Sequence, residues 1–411
     1  MSLTNGARLL YGSPLSRPRN AGLLSIGLAV LIAISTSSFI TEFSAIPPGG
    51  FQVFFIALAG TILLTLVPLA IVWFLDRREP ESRWLYLIAL LWGSFIATGL
   101  ALPLNIYILT AVAGLVELHP ALQTIFGSNA QMVLGAPLAG PLVEETTKGL
   151  GVLLLFWLLR AEFDNVRDGF IYGALVGMGF NLVEAPLYVL QGFAQTGDVP
   201  LYFQLADRFA LFGLSGHALY TGLFGMGLGL ARQTTCRWLH YGAPVGGWLL
   251  GFSGHLLNNG IGLIMYLYVF ITTGQPVPQE SPPAVASEII EPFFSQWVSH
   301  SALRLIGFFP FFLMVGVMLW QSGLWERQVI REELADESEP VILPEEYETV
   351  KGDRMFRTRS IPHLNRRTSA AIVRAQDELA LRKWRVKQVG QAVASDPLVA
   401  SWRGELLRLR G

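Results

Sequence analysis

The 411-residue chain is short of charge: Lys, Arg, Asp and Glu make up 14% of it, against roughly 25% in an average soluble domain. That leaves too little polar surface to cover a soluble fold. A hydrophobic content of 52% and a mean hydropathy of +0.47 agree. A single cysteine, Cys236, excludes an intramolecular disulfide framework. The net charge of −1 is a cancellation between acidic loops and a basic C-terminal stretch, so it identifies no partner and gives no ground for nucleic-acid binding. The first apolar run follows Arg8, Arg17 and Arg19 but is not closed by a small-residue cleavage site, so no cleavable signal peptide is expected.

Long apolar runs are what the chain does have. A bilayer core takes about 20 residues per helix. Eight stretches qualify, at roughly 22–40, 51–75, 84–107, 138–159, 169–191, 209–231, 242–271 and 302–321. The expected fold is all-α and polytopic, with about eight transmembrane helices. Residues 1–21 read as a cytoplasmic N-terminal segment, and 22–321 as a transmembrane domain with its polar helices at about 138–271. Residues 322–411 read as a charged cytoplasmic tail, acidic from Glu332 to Glu348 and basic from Arg354 to Arg385, with one or two surface helices.

Arginine placement gives the orientation. Arg77, Arg78 and Arg83, then Arg160 and Arg167, then Arg232 and Arg237 fall in alternate loops, and the loops between are nearly bare of them. Both termini are therefore expected in the cytoplasm. The outer loop from Thr272 to Ser301 begins Pro-rich and ends with Ile289, Ile290, Phe293, Phe294 and Trp297, a segment suited to the outer interface as an anchor or a lid.

Ionisable groups cost roughly 2.5–3.5 kcal/mol each at the centre of a bilayer. Here they are concentrated on four successive helices: Glu144, Glu145 and Lys148, then Glu184, His217 and His255. Glu144, Glu184, His217 and His255 each lie about 15 residues from the cytoplasmic end of their helix, or roughly 22–24 Å at ~1.5 Å per residue. Two of those helices run up and two run down, so groups at one level can converge on one point, nearer the outer face. Each has a companion one turn away on the same helix face: Lys148 for Glu144, Phe180 for Glu184, Thr221 for His217 and Asn259 for His255. Glycines at four-residue spacing on these helices let the backbones approach closely.

Glu144-Glu145-Thr-Thr-Lys148, Phe180-x-x-x-Glu184, His217-x-x-x-Thr221 and His255-x-x-x-Asn259, in that order and one per helix, resemble the motifs of the PrsW family. These are bacterial intramembrane proteases related to the CAAX-type prenyl endopeptidases. The likeness spans about Leu142 to Asn259. It departs from the family at Ala185, where an amide residue is expected.

The resemblance implies peptide-bond hydrolysis in a bacterial plasma membrane, on a membrane-tethered protein that by family analogy is an anti-sigma factor. Glu144, with Glu145 as the alternative, is expected to be the base. His217, His255 and Glu184 are expected to hold the water, directly or through zinc, and Asn259 to stabilise the oxyanion. A metal-free glutamate mechanism stays open. Two rivals are an ion- or proton-coupled transporter, for which no internal repeat is visible, and a prenyl-protein endopeptidase, whose site should open to the cytoplasm.

Overall fold

Inside lipid a chain can satisfy its own N–H and C=O groups only as a helix or a closed barrel, and the described residues of this chain form helices and no strand. The structure, a computed structural model, describes residues 3–78, 80–127, 130–275, 292–354 and 359–411. After a short α1 (Asn5–Leu9) come α2 (Pro18–Ser44) and α3 (Gly50–Leu75). Next are α4 (Arg83–Leu91) and α5 (Thr98–Leu118), joined by a π-helical turn over Trp92–Ala97, and a short α6 (Pro120–Phe126). The central helices are α7 (Ala130–Leu158), α8 (Val166–Thr196), the short α9 (Leu201–Arg208), α10 (His217–Gln233) and α11 (Arg237–Thr273).

The bundle is built around α8, which buries 83% of its most apolar stretch. An Asn165–Asp168 capping box starts α8. Glycine sets its distance to α10: a Cβ on Gly173 would lie 2.3 Å from the Thr221 carbonyl oxygen, and one on Gly177 would lie 2.2 Å from that of His217. The two helices touch backbone to backbone, and this brings short side chains on both within reach of each other.

Of the eight spans expected, the structure supports five or six. All eight apolar stretches contain helix, but among the described residues only five helices are long and apolar enough to cross a membrane. They number six if the bent pair α12 (Phe293–Gly307) and α13 (Phe309–Ala335), 72° apart, counts as one span. The site itself explains the shortfall: α7 carries Glu144, Glu145 and Lys148, and α10 has only 17 residues.

The sixth stretch also starts late. Residues 209–216 are not continuous α-helix. Leu211 and Phe212 take left-handed φ values of 49° and 60°, and α10 opens at His217 behind Gly216. Of the outer loop, Glu280, Glu288, Ile289, Ile290 and Glu291 lie outside the described residues.

The C-terminal part is more than a charged tail with one or two surface helices. Three helices, α14 (Pro344–Lys351), α15 (Arg366–Gln388) and α16 (Pro397–Arg410), pack with the end of α13 around Leu334, Ile372, Leu379, Leu398 and Leu406. Arg8 from the N-terminal segment lies over the Trp402 ring at 4.3 Å and donates to Ser401 Oγ at 3.0 Å. Ion pairs Arg385–Asp164 and Arg167–Glu326 (3.0 Å) join this unit to the loop between α7 and α8 and to the first turn of α8.

Candidate active site between four helices

The polar residues singled out in the sequence meet. Glu144, Glu145, Lys148, Glu184, His217 and His255 are all buried, none more than 8% exposed, and they share hydrogen bonds across α7, α8, α10 and α11. Each imidazole has a carboxylate on its outer nitrogen. Glu184 Oε2 lies 2.6 Å from His217 Nε2, and Glu145 Oε1 lies 2.9 Å from His255 Nδ1. An ionised carboxylate only accepts, so it draws the N–H of a neutral ring to its side and leaves the lone pair on the opposite nitrogen. His217 Nδ1 and His255 Nε2 are those nitrogens. They lie 4.0 Å and 3.9 Å from Glu144 Oε2, a buried oxygen with no hydrogen-bond partner.

Glu144, His217 and His255 thus offer three donor atoms within 4.8 Å of one another, the one such group found among the described residues. Two imidazole nitrogens and a carboxylate oxygen without a hydrogen-bond partner are a donor set that suits a cation. A Cβ on Gly140 would stand 2.7 Å from Asn259 Nδ2 and in ordinary contact with Glu144 Oε1 and His255 Nε2, so glycine there leaves room for Asn259 beside the site. Lys148 Nζ also sets a positive charge 2.7 Å from the His217 lone pair. A metal on that nitrogen would require the ammonium to withdraw. Glu184, expected from the sequence as a third holder of the water, is outside the group and faces the far side of His217.

The companions are placed as follows. Lys148 bonds Glu145 Oε1 at 2.6 Å and lies 3.8 Å from Glu144 Oε2. Phe180 fits between charge and ring: Lys148 Nζ stands 4.3 Å over its face, and its centroid is 5.0 Å from that of His217. Thr221 bonds Glu145 Oε2 at 3.0 Å rather than an imidazole, so it orients the carboxylate that orients His255. Asn259 donates to the Ala136 carbonyl at 3.4 Å and lines the cleft beside the site. Ala185 packs among Leu205 and Phe209, so the departure from the family pattern falls in an apolar cluster.

The sequence reading passed over three residues that the structure brings in. Arg208, read as a loop charge, ends α9 with its guanidinium on Glu184 Oε2 and over the Tyr188 ring at 4.2 Å. Tyr220 stacks on His255 at 5.0 Å between centroids. Asn105 on α5 donates to Glu144 Oε1 at 3.2 Å. A weak signal existed for Arg208, an adjacent Asp–Arg pair bordering an apolar run; for Asn105, a neutral residue in an unbroken apolar helix, there was none.

A narrow cleft leads to the site past Glu184, Tyr188, Arg208, His217, Tyr220, His255 and Asn259. Its rim includes Asp207 of α9 and Arg304 of α12, paired at 2.7 Å. Trp297 of α12 donates to the Phe209 carbonyl at 2.8 Å, so the segment expected as an anchor or lid lies against the loop that borders the cleft.

A polytopic membrane protein whose helices enclose a His–Glu centre open to a cleft is the class that fold and site define. Residues 81–276 match the sequence profile described as PrsW family intramembrane metalloprotease. The matched stretch, a little under half of the chain, is similar to that family and contains Glu144, Glu145, Glu184, His217 and His255. Protease PrsW of Geobacillus kaustophilus (strain HTA426) is 28% identical over 135 residues, which cover 32% of this chain and 56% of that protein. The chain thus spans little more than half the length of that curated relative. No solved structure matches it.

Proposed function

We propose that the protein is an intramembrane endopeptidase that cuts a membrane-tethered protein near the outer face of the bacterial plasma membrane, with both of its own termini in the cytoplasm. One observation carries the reading: a nitrogen of each imidazole and a carboxylate oxygen without a hydrogen-bond partner face one another inside the bundle, and withdrawal of Lys148 Nζ, 2.7 Å from the His217 nitrogen, would free that lone pair for a water. The 3.9 and 4.0 Å separations exceed the ~3.3 Å between ligands of a tetrahedral zinc with ~2.0 Å bonds. They leave room for a water between. Glu144 Oε2 is accordingly read as the proton acceptor.

Glu144 takes a proton from that water as its oxygen attacks the scissile carbonyl. Asn259 donates to the oxygen as it becomes an anion, and Glu144 then returns the proton to the departing amine nitrogen. Glu145 and Glu184 keep the His255 and His217 rings in the tautomers that aim both lone pairs at the water. His217, His255 and Glu144 are the residues that would hold a metal, and zinc there would make the bound water more acidic and polarise the carbonyl.

An anti-sigma factor is the substrate that family analogy favours. Nothing in the arrangement favours the transporter or the prenyl-endopeptidase reading. The test uses purified full-length protein in lipid nanodiscs with a single-pass reporter protein. Native protein is expected to release two fragments, and Glu144→Gln at least ~10²-fold fewer. Undiminished release by Glu144→Gln would remove Glu144 as the base.

A further inference from the structure

Of the two oxygens of Glu144, one is spoken for. Oε1 accepts from Asn105 Nδ2 at 3.2 Å, and Oε2 is buried with no hydrogen-bond partner, facing His217, His255 and Lys148. We propose that Asn105 is a positioning residue for the reaction: by holding Oε1 it fixes the Glu144 carboxylate so that Oε2 faces the two imidazole lone pairs. The inference rests on the proposed function, in which Glu144 is the base.

Asn105 lies on α5, away from the four motif-bearing helices. The chemistry of the pair fixes which end of the amide faces Glu144, because a carboxylate can only accept and Nδ2 is the only donor Asn has. A neutral donor also suits this place better than a charged one. A second cation beside Lys148 would weaken the carboxylate as a proton acceptor, whereas an amide fixes its direction and adds no charge.

Without that anchor the carboxylate can turn about its last side-chain torsion, which is broad for Glu. Lys148 Nζ, 3.8 Å from Oε2, would then compete for either oxygen. The amide pays for its position: Asn105 Oδ1 is itself buried without a partner. Packing alone gives no reason to keep an amide there.

The experiment measures kcat and KM for the single-pass reporter in nanodiscs with native protein, Asn105→Ala, Asn105→Asp, Asn105→Gln and Glu144→Gln. Asn105→Asp is isosteric but replaces the donor with a like charge, and Asn105→Ala removes the donor without adding charge. Both are expected to lower kcat by about tenfold to a hundredfold, the cost of a catalytic group displaced by about 1 Å. KM should stay within about twofold, since Asn105 is not expected to bind substrate. Asn105→Gln keeps an amide donor and should recover part of the loss, which a purely structural role for Asn105 would not explain.

Native kcat in both Asn105→Ala and Asn105→Asp, with Glu144→Gln inactive, would overturn the role given to Asn105 and leave Glu144 as the base. Glu144→Gln as active as native protein would overturn both.

Discussion

At the residue scale the site is a set of paired groups, and each pairing assigns a job. Glu145 serves His255, Glu184 serves His217, and Arg208 serves Glu184. Arg208 therefore stands two steps from the water. Arg208→Gln should leave Glu184 without its cation and allow the His217 ring to turn. The expected result is a loss of about tenfold in turnover with a melting midpoint near that of native protein, and Arg208→Lys should lie between the two. Equal turnover by all three proteins would show that Glu184 does not need Arg208.

The ionisable members of the site were legible in the sequence, because charge inside an apolar helix is costly and draws notice. Their pairing was not. Thr221, one turn from His217 on the same helix face, bonds Glu145, a partner on another helix that depends on helix rotation, which spacing along one helix does not give.

At the scale of elements the backbone contact between α8 and α10 is what holds His217 in place. A methyl group on Gly177 would sit 2.2 Å from the His217 carbonyl oxygen and 2.4 Å from its carbon, with backbone on both sides and no flexible side chain to give way. Gly177→Ala should push the helices apart, lower the melting midpoint and cut turnover more than tenfold. Gly262, on α11 with open space around its Cβ position, is the control, and Gly262→Ala should change neither. Similar effects from both substitutions would mean that the close approach does not matter.

The helices were largely legible, with bounds within several residues in most cases. The start of α10 was not. Residues 209–216 are apolar enough to continue a helix, and only the left-handed Leu211 and Phe212 and the glycines at 213 and 216 break it.

At the scale of the molecule, the C-terminal helical unit and the apolar bundle meet across buried acids. Burial, with Glu162 close by, raises the Glu378 carboxyl on α15 from its ordinary 4.5 to about 8. The docked state therefore keeps a proton that a hydrated Glu378 loses. Docking is favoured by that proton throughout acid conditions and weakens as the pH rises from about 4.5 towards 8. Spin labels on α15 and on the loop between α7 and α8, with Cys236 replaced by serine, should show a longer or broader distance at pH 8 than at pH 5.5. Glu378→Gln should hold the short distance at both. A native distance that does not change with pH would contradict the buried, protonated carboxyl.

This unit was hidden in the sequence by its charge. The core positions Ile372, Leu379 and Val386 recur every seven residues on α15, but half of the residues between them are charged.

In the proposed reaction Glu144 and the two imidazoles activate a water rather than attack the peptide themselves. Single-turnover cleavage of the reporter in ¹⁸O-labelled water, followed by mass spectrometry of the fragments and of the enzyme peptide containing Glu144, tests it directly. One ¹⁸O in the new fragment carboxylate, none in Glu144, and no fragment hydroxamate when hydroxylamine is added is the predicted result. ¹⁸O in the Glu144 carboxylate, or a fragment hydroxamate, would show a covalent acyl-enzyme and contradict the account.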